Sequence, residues 1–374
     1  MPTDPWKGWF GDAAFEEEDG PAARFRQRAG PAPDPARLLL SLAAAEDALS
    51  RLDALTGAAS EPVRAGLAAR LAFAEAAGWL MEEGVLVHSR DLALRASHIT
   101  GSYTAATALG RLRRELPETW RAVEILPEEI PAEHLVEQAL ALARLLQRLA
   151  TLRSLDPLDN AASLASSLRS LGPSAWPAAL CAAEVQPPDF TTWRREWLAT
   201  GQEQPTLLAA AEASALWLRQ ASEGDIAVPQ LSQALFLAAL LVKRRGRLRH
   251  VALPFWSARP AGAFRLRRPG EDPAGWPLRM LERIRAAALR GLDELDRLQA
   301  AAEGMARLAK QGRRSSSLGA VSDLALRRPV LTAGALAAKL GLTHQGALLL
   351  LDRLAGEGLL REITGRASFR AFAV

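Results

Sequence analysis

Residues 329–374 of this 374-residue chain read PVLTAGALAAKLGLTHQGALLLLDRLAGEGLLREITGRASFRAFAV. The stretch predicts two short helices separated by a tight turn. Thr332 is a favourable N-cap for a helix over residues 333–340, and Gly341 tolerates the left-handed backbone that ends such a helix. Thr343 then caps a second helix that runs to about residue 355. Its inner face is expected to carry Ala347, Leu350 or Leu351, and Leu354.

Two short strands are predicted after the second helix. Residues 359–363 and 368–372 flank a turn at 364–367, which places Arg366 at the tip of a hairpin and Arg370 on its return strand. Two helices, a turn and a hairpin are typical of a winged helix-turn-helix, in which first-turn side chains of the second helix reach base edges. We therefore expect double-stranded DNA as the partner. The expected DNA-binding residues are Thr343, His344, Gln345, Arg353, Arg366 and Arg370.

Leu348 and Leu349 lie on or near the expected outer face of the second helix. They can contact thymine methyl groups, mark a surface for a partner protein, or belong to a broad core face. The residues alone leave these alternatives open. The main hypothesis is a sequence-specific DNA-binding protein that regulates transcription. The second is a non-catalytic protein–protein interaction module that uses the same winged helix and the helical body.

Charge is divided unevenly along the chain. Residues 1–242 hold 21 Lys and Arg against 31 Asp and Glu, whereas residues 243–374 hold 25 against 11. A basic segment is typical of a surface that displaces counterions from phosphate, although it can also serve an acidic partner or the chain's own acidic half. The expected secondary contacts to DNA are Lys243, Arg244, Arg245, Arg313 and Arg314.

The pattern upstream of the hairpin predicts a mainly α fold. We expect a mobile acidic segment at 1–34, a helical body at 35–250, a basic connector and long helix at 251–314, and the winged helix-turn-helix at 315–374. Apolar residues recur at helical spacing over residues 277–310. This helix is expected either to pack on its own bundle or to pair with a copy in a homodimer, which would suit a two-fold DNA site.

The C-terminal stretch resembles the last domain of bacterial Fic-type proteins. It is more closely similar to a rhizobial-type family of uncharacterised helix-turn-helix proteins, which end in a pattern like LREITGR, here residues 360–366, followed by FRA. Upstream, residues 42–53 and 80–94 are similar to the helical N-terminal region of Fic proteins. The resemblance implies a DNA-binding protein.

Catalytic signatures are missing from the sequence. Fic catalysis requires a His-Pro-Phe motif and a glycine-rich anion-binding loop, but the five histidines are followed by Ser, Ile, Leu, Val and Gln. Isolated histidines and a single cysteine, Cys181, cannot form a local four-ligand zinc site. We therefore expect no enzyme activity, no metal site and no cofactor.

Features of the whole chain suggest its location. One cysteine allows no intrachain disulfide, which suits a reducing compartment. The longest apolar run, residues 234–242, is far shorter than the roughly 20 residues of a membrane helix, and the acidic N-terminus does not resemble a signal peptide. We expect a cytoplasmic, nucleoid-associated protein without membrane partners, and whether its body binds a small-molecule effector stays open.

Overall fold

The computed structural model describes residues 34–82, 85–99, 132–151, 158, 203–221, 229–258, 272, 274–311, 317–365 and 370–374. Within these ranges the protein is mainly α-helical, as expected. The upstream body comprises α1 Pro35–Ala58, α2 Glu61–Glu82, α3 Ser89–Ala96, α4 Ala132–Thr151, α5 Thr206–Ala221, α6 Pro229–Arg244 and α7 Trp276–Gln311. The C-terminal module comprises α8 Leu318–Arg327, β1 Leu331–Thr332, α9 Ala333–Leu340, α10 His344–Gly356, β2 Arg361–Glu362 and β3 Ala371–Ala373.

Some predictions fall outside the described residues. These include the acidic segment before residue 34 and parts of the expected helical body, among them residues 100–131 and most of 152–202. The predicted contacts Arg313, Arg314 and Arg366 also lie outside them.

Capping and proline residues mark the start of two helices of the body. Asp34 caps α1 by accepting the N–H of Ala36 at 3.0 Å, and Pro35 occupies the first turn, where its missing N–H costs nothing. Leu38, Leu49 and Leu52 then form a stripe that is fully buried. Pro229 likewise stands at the start of α6. Spacing and caps therefore account for these elements.

The 36-residue helix α7 packs inside its own chain. Its apolar stripe, which includes Leu281, Ile284, Leu295 and Leu298, is buried. The helix contacts α1, α2, α5 and α8. Of the two expectations for this helix, packing on its own bundle is the one observed, and the stripe is not accessible to a second chain.

A buried acid and a buried base hold the segment before α7. Glu75 accepts the N–H groups of Trp256 and Ser257 at 2.7 and 3.3 Å and the Ser257 hydroxyl at 2.6 Å. Arg283 donates to the carbonyl oxygens of Phe255 and Trp256 at 2.5 and 3.1 Å. Burial raises the pKa of Glu75, against the opposing effects of these hydrogen bonds and of Arg283. The two side chains thus fix residues 255–257, where Phe255 has a φ of 65°.

The C-terminal module contains a small antiparallel sheet. Its strand order is β1-β3-β2, with Leu331 opposite Phe372 and Glu362 also opposite Phe372. Phe372 is completely buried. Strands β2 and β3 are shorter than the predicted hairpin strands, and neither β1 nor helix α8 was predicted.

Arg70 joins the body to this module. Its guanidinium donates to the carbonyl oxygens of Ala325, Leu326 and Arg328 at 3.3, 2.6 and 2.9 Å, where α8 ends. Its Nε lies 3.3 Å from a carboxylate oxygen of Glu294. Burial lowers the pKa of Arg70 to about 10, with Glu294 opposing the shift, so the side chain stays protonated at neutral pH. We call this set of contacts the Arg70 clamp.

Close approach of the helices makes the Arg70 clamp possible. Gly66 lies one turn before Arg70 on α2, and a Cβ there would overlap the carbonyl oxygen of Leu326. Glycine therefore lets α8 lie directly against α2. An ion pair between Arg327 and Glu61 adds a second link between the same helices.

Candidate nucleic-acid interface

Two threonine caps and one glycine set the geometry between α9 and α10. The Thr332 hydroxyl accepts the N–H of Ala335 at 3.1 Å, and the Thr343 hydroxyl accepts the N–H of Gly346 at 3.1 Å. Gly341 has a φ of 65° and ends α9 in the left-handed conformation. The predicted capping residues and turn are confirmed. They fix the direction in which α10 leaves the turn.

Helix α10 presents polar groups outward from its first turn. Ala347, Leu351 and Leu354 have no exposed surface and form its inner face, so the position left open between Leu350 and Leu351 falls to Leu351. The side chains predicted for DNA contact on this helix are exposed, namely Thr343, His344, Gln345 and Arg353. The first turn of α10 is therefore free of contacts that would hide it from a groove.

Leu348 and Leu349 differ in how much of their surface is exposed. Leu348 is partly buried and packs against the core. Leu349 has 65% of its surface exposed. It lies one turn after Gln345, on the same outward face. Only Leu349 is therefore available to a partner of α10.

Glu362 organises the turn of the hairpin. Its carboxylate accepts the N–H groups of Thr364 and Gly365 at 2.8 and 2.9 Å and also the Thr364 hydroxyl. Partial burial acts to raise the pKa of Glu362, but the hydrogen bonds outweigh it and the pKa is lowered. The sequence analysis assigned no role to Glu362. An acidic residue just before Thr-Gly at a turn was the available signal.

Arg370 lies beside α10 but is already paired. Its guanidinium meets the Asp352 carboxylate through two contacts, at 2.8 and 3.1 Å. It also lies 5.0 Å from the centre of the Phe372 ring. A phosphate at this position would have to take the place of Asp352.

Two of the three basic residues at the end of α6 donate hydrogen bonds to backbone carbonyl oxygens of the body. Lys243 donates to the carbonyl oxygens of Leu248 and Arg249 at 3.2 and 3.3 Å. Arg245 donates to the carbonyl oxygen of Gln204 at 2.9 Å, and burial lowers its pKa. Arg244 is exposed.

The next two arginines pair with acidic residues of α1. Arg247 lies 3.4 Å from Glu46, and Arg249 lies 2.8 Å from Asp53. The basic stretch 243–249 is thus partly neutralised by the chain's own acidic half. Residues 318–374 themselves hold seven Lys and Arg against four Asp and Glu, which is a modest positive charge.

The described residues offer neither a metal-binding cluster nor a membrane-spanning helix. No three His, Cys, Asp or Glu side chains gather there as a metal site would require. No helix in the same ranges combines the length and the apolarity needed to cross a membrane.

Comparison with known proteins gives one finding. No curated protein matches the chain. Residues 318–374 match the family model of an HTH DNA-binding domain, and this range begins at the first residue of α8 and includes the whole sheet. The match does not reach residues 42–53 or 80–94, so it gives no support to a Fic-like N-terminal region. The chain therefore carries a helix-turn-helix domain at its C-terminal end and is a DNA-binding protein.

Proposed function

We propose that this protein binds specific sequences of double-stranded DNA and regulates bacterial transcription, with its C-terminal module acting as a winged helix. Helix α10 enters the major groove, and the β2–β3 hairpin follows the backbone. The observation that carries the proposal is the exposed polar first turn of α10. The caps at Thr332 and Thr343 and the turn at Gly341 hold it in a fixed direction.

The outward face of α10 suits A·T base pairs. A glutamine amide can bind N6 and N7 of adenine through two hydrogen bonds, and an apolar side chain can contact the thymine methyl group. Gln345 and Leu349 lie one turn apart on this face. His344 is the second candidate for base contact. Thr343 is placed to contact a phosphate.

Backbone contacts would come from the exposed cations of the C-terminal module, which in its described residues include Lys339 on α9 and Arg361 on β2. Arg353 is exposed on α10, and Arg366 follows the turn that Glu362 organises. Arg370 contacts a phosphate only if it leaves Asp352. Each phosphate neutralised contributes about 0.9 to the slope of log K against log salt. We therefore expect a shallow slope, corresponding to a few contacts per protein chain.

Replacing Arg366 by alanine tests the hairpin contact. The variant should weaken binding to all duplexes alike and lower the salt slope by about 1, because it removes one phosphate contact. The measurement is fluorescence anisotropy with duplexes selected from a random library, at several salt concentrations. Arg51→Ala is the matched control, since Arg51 is 58% exposed on α1, far along the chain from the module. Unchanged affinity and slope in Arg366→Ala would remove the hairpin from the interface.

Replacing Gln345 by alanine tests base recognition. The variant should lose roughly 1–3 kcal/mol of discrimination at particular base pairs, with little effect on the salt slope. Selection from the same library, followed by competition between single-base variants of the site, measures this loss. Gln147→Ala on α4 is the control for loss of an amide. Equal preferences in wild type and Gln345→Ala would contradict insertion of this turn into the groove.

The regulatory part of the proposal needs a separate readout. Binding sites mapped across the genome should cluster at promoters for the wild type and lose that pattern for Gln345→Ala.

The exposed Leu349 supports one competing function, a protein-binding module. That function would be favoured by salt-insensitive or absent DNA binding together with a protein partner whose capture Leu349→Asp abolishes.

A further inference from the structure

A cavity lies where the body meets the C-terminal module. Its volume is about 490 Å³, within the range of small-molecule sites. One side is formed by α2, the start of α3 and one face of α7. The other is formed by Pro329 and Val330, just before β1, and by Ala373 in the central strand β3. The Arg70 clamp lies at its margin.

The polar side of the cavity is strongly basic. Four arginines contribute to its lining, Arg70, Arg90, Arg290 and Arg297. The last residue, Val374, also lines it and accepts a hydrogen bond from Arg297 at 3.0 Å, and Glu294 provides the single carboxylate side chain. That carboxylate is shared, because it contacts Arg70 at 3.3 Å and Arg297 at 2.6 Å. Within the described part of the chain, neither Arg90 nor Arg290 forms a salt bridge with a carboxylate, although Arg90 interacts electrostatically with the adjacent Asp91. The excess of positive charge favours an anionic occupant.

Arg290 is held in position by the body. It donates to the carbonyl oxygen of Ser257 at 2.6 Å, in the segment that Glu75 and Arg283 fix. Only part of its five-donor guanidinium is used by that bond. Arg290, Glu294 and Arg297 follow one another at spacings of four and three residues, so they lie on one face of α7. A guanidinium fixed in this way is suited to a carboxylate.

Most of the remaining lining of the cavity is apolar. Leu71, Phe73, Ala74, Ala77, Val87 and Val330 contribute to it. A small inorganic ion would leave this surface in contact with water. An amphipathic anion would cover it and gain from its burial.

We infer that this cavity binds a small organic carboxylate, with an aromatic or aliphatic body against α2 and its charge near Arg290. The ligand would contact the body and the C-terminal module at once, so it would stabilise their docked arrangement over any separated one. The inference concerns binding alone and holds whether or not α10 recognises specific DNA.

Isothermal titration of the full chain tests the inference with named probes. Benzoate, phenylacetate and octanoate should bind, and their neutral amides should bind at least about tenfold more weakly because they lack the charge. Inorganic phosphate, which lacks the apolar body, should also bind more weakly than the carboxylates. Concentrations up to about 5 mM would reveal even a millimolar Kd.

Two variants change the cavity in different ways. Arg290→Ala should weaken carboxylate binding about tenfold, and Ala74→Phe should abolish it by filling the apolar side. Arg51→Ala should leave it unchanged, and circular dichroism confirms folding of each variant. The inference is overturned if the amides bind as well as the carboxylates, if neither cavity variant weakens binding, or if no carboxylate binds.

Discussion

Arg70→Ala should lower the free energy of unfolding by about 4 kcal/mol, because removing one member of a buried charge network leaves its partners unsatisfied. The variant would strip hydrogen bonds from the carbonyl oxygens of Ala325, Leu326 and Arg328, where α8 ends. Glu294 would keep only its contact with Arg297. Urea denaturation at neutral pH measures the loss, and hydrogen exchange should show the amides of α8 losing protection first.

Companion variants separate charge from geometry at this position. Arg70→Lys keeps the charge, but a single ammonium cannot reach three carbonyls and a carboxylate as a guanidinium does, so it should recover no more than about half of the loss. Arg70→Met fills the space with apolar atoms and should remain close to the alanine variant. Arg51→Ala on the surface of α1 should change the free energy of unfolding by no more than about 0.5 kcal/mol. Wild-type stability of Arg70→Met would show that the Arg70 clamp contributes nothing.

Glu75→Ala should cost about 4 kcal/mol at neutral pH, because it leaves two buried N–H groups and one hydroxyl without an acceptor. Glu75→Gln should remain within about 1 kcal/mol of wild type. Its amide oxygen can accept both N–H groups, and its NH₂ can donate to the Ser257 hydroxyl oxygen. If the glutamine variant were as unstable as the alanine variant, negative charge opposite Arg283 would hold the segment instead.

The pH dependence of this pair of variants gives a second readout. The native pKa of Glu75 is raised, so the native state keeps a proton that the unfolded chain has lost. Wild-type stability from this group is full below the unfolded pKa of about 4.3 and is lost as pH rises through the native pKa. Glu75→Gln does not titrate there. The stability of the glutamine variant relative to wild type should therefore increase with pH across that window, as measured by urea denaturation at a series of pH values.

Features that depend on near neighbours were predictable from the sequence. The caps at Thr332 and Thr343 join residues only three apart, and Gly341 needs nothing beyond its own backbone. The long helix α7 was predicted over 277–310 and observed at Trp276–Gln311, since its apolar stripe repeats through ten turns.

Features that depend on distant partners were missed. Helix α8 has only ten residues, and Ser317 gives it no side-chain cap. Its end is bonded instead to Arg70, whose partner Leu326 is 256 residues away. Strand β1 has two residues and forms by pairing with β3. Neither carries a pattern long enough to recognise.

The pairing of the cations was also hidden from the sequence. Arg370 and Asp352 are 18 residues apart, and they meet only because β3 returns beside α10. Lys243 and Arg245 bond to backbone carbonyls of the body. Counting charge along the chain therefore could not show which cations have partners within the chain, whereas the exposure of Thr343, His344, Gln345 and Arg353 agrees with their spacing.

Because of the Arg70 clamp, we do not expect the helix-turn-helix domain to fold when it is separated from the body. Helix α8 opens the matched domain, yet it packs against α2 and α7 of the body. A fragment that begins at residue 315 would expose that face to water and lose the guanidinium that ends its first helix. Failure of such a fragment to bind DNA would report its unfolding, and grafting it onto another protein would require α2 to accompany it. We therefore expect the helix-turn-helix domain and the helices that support it to unfold together.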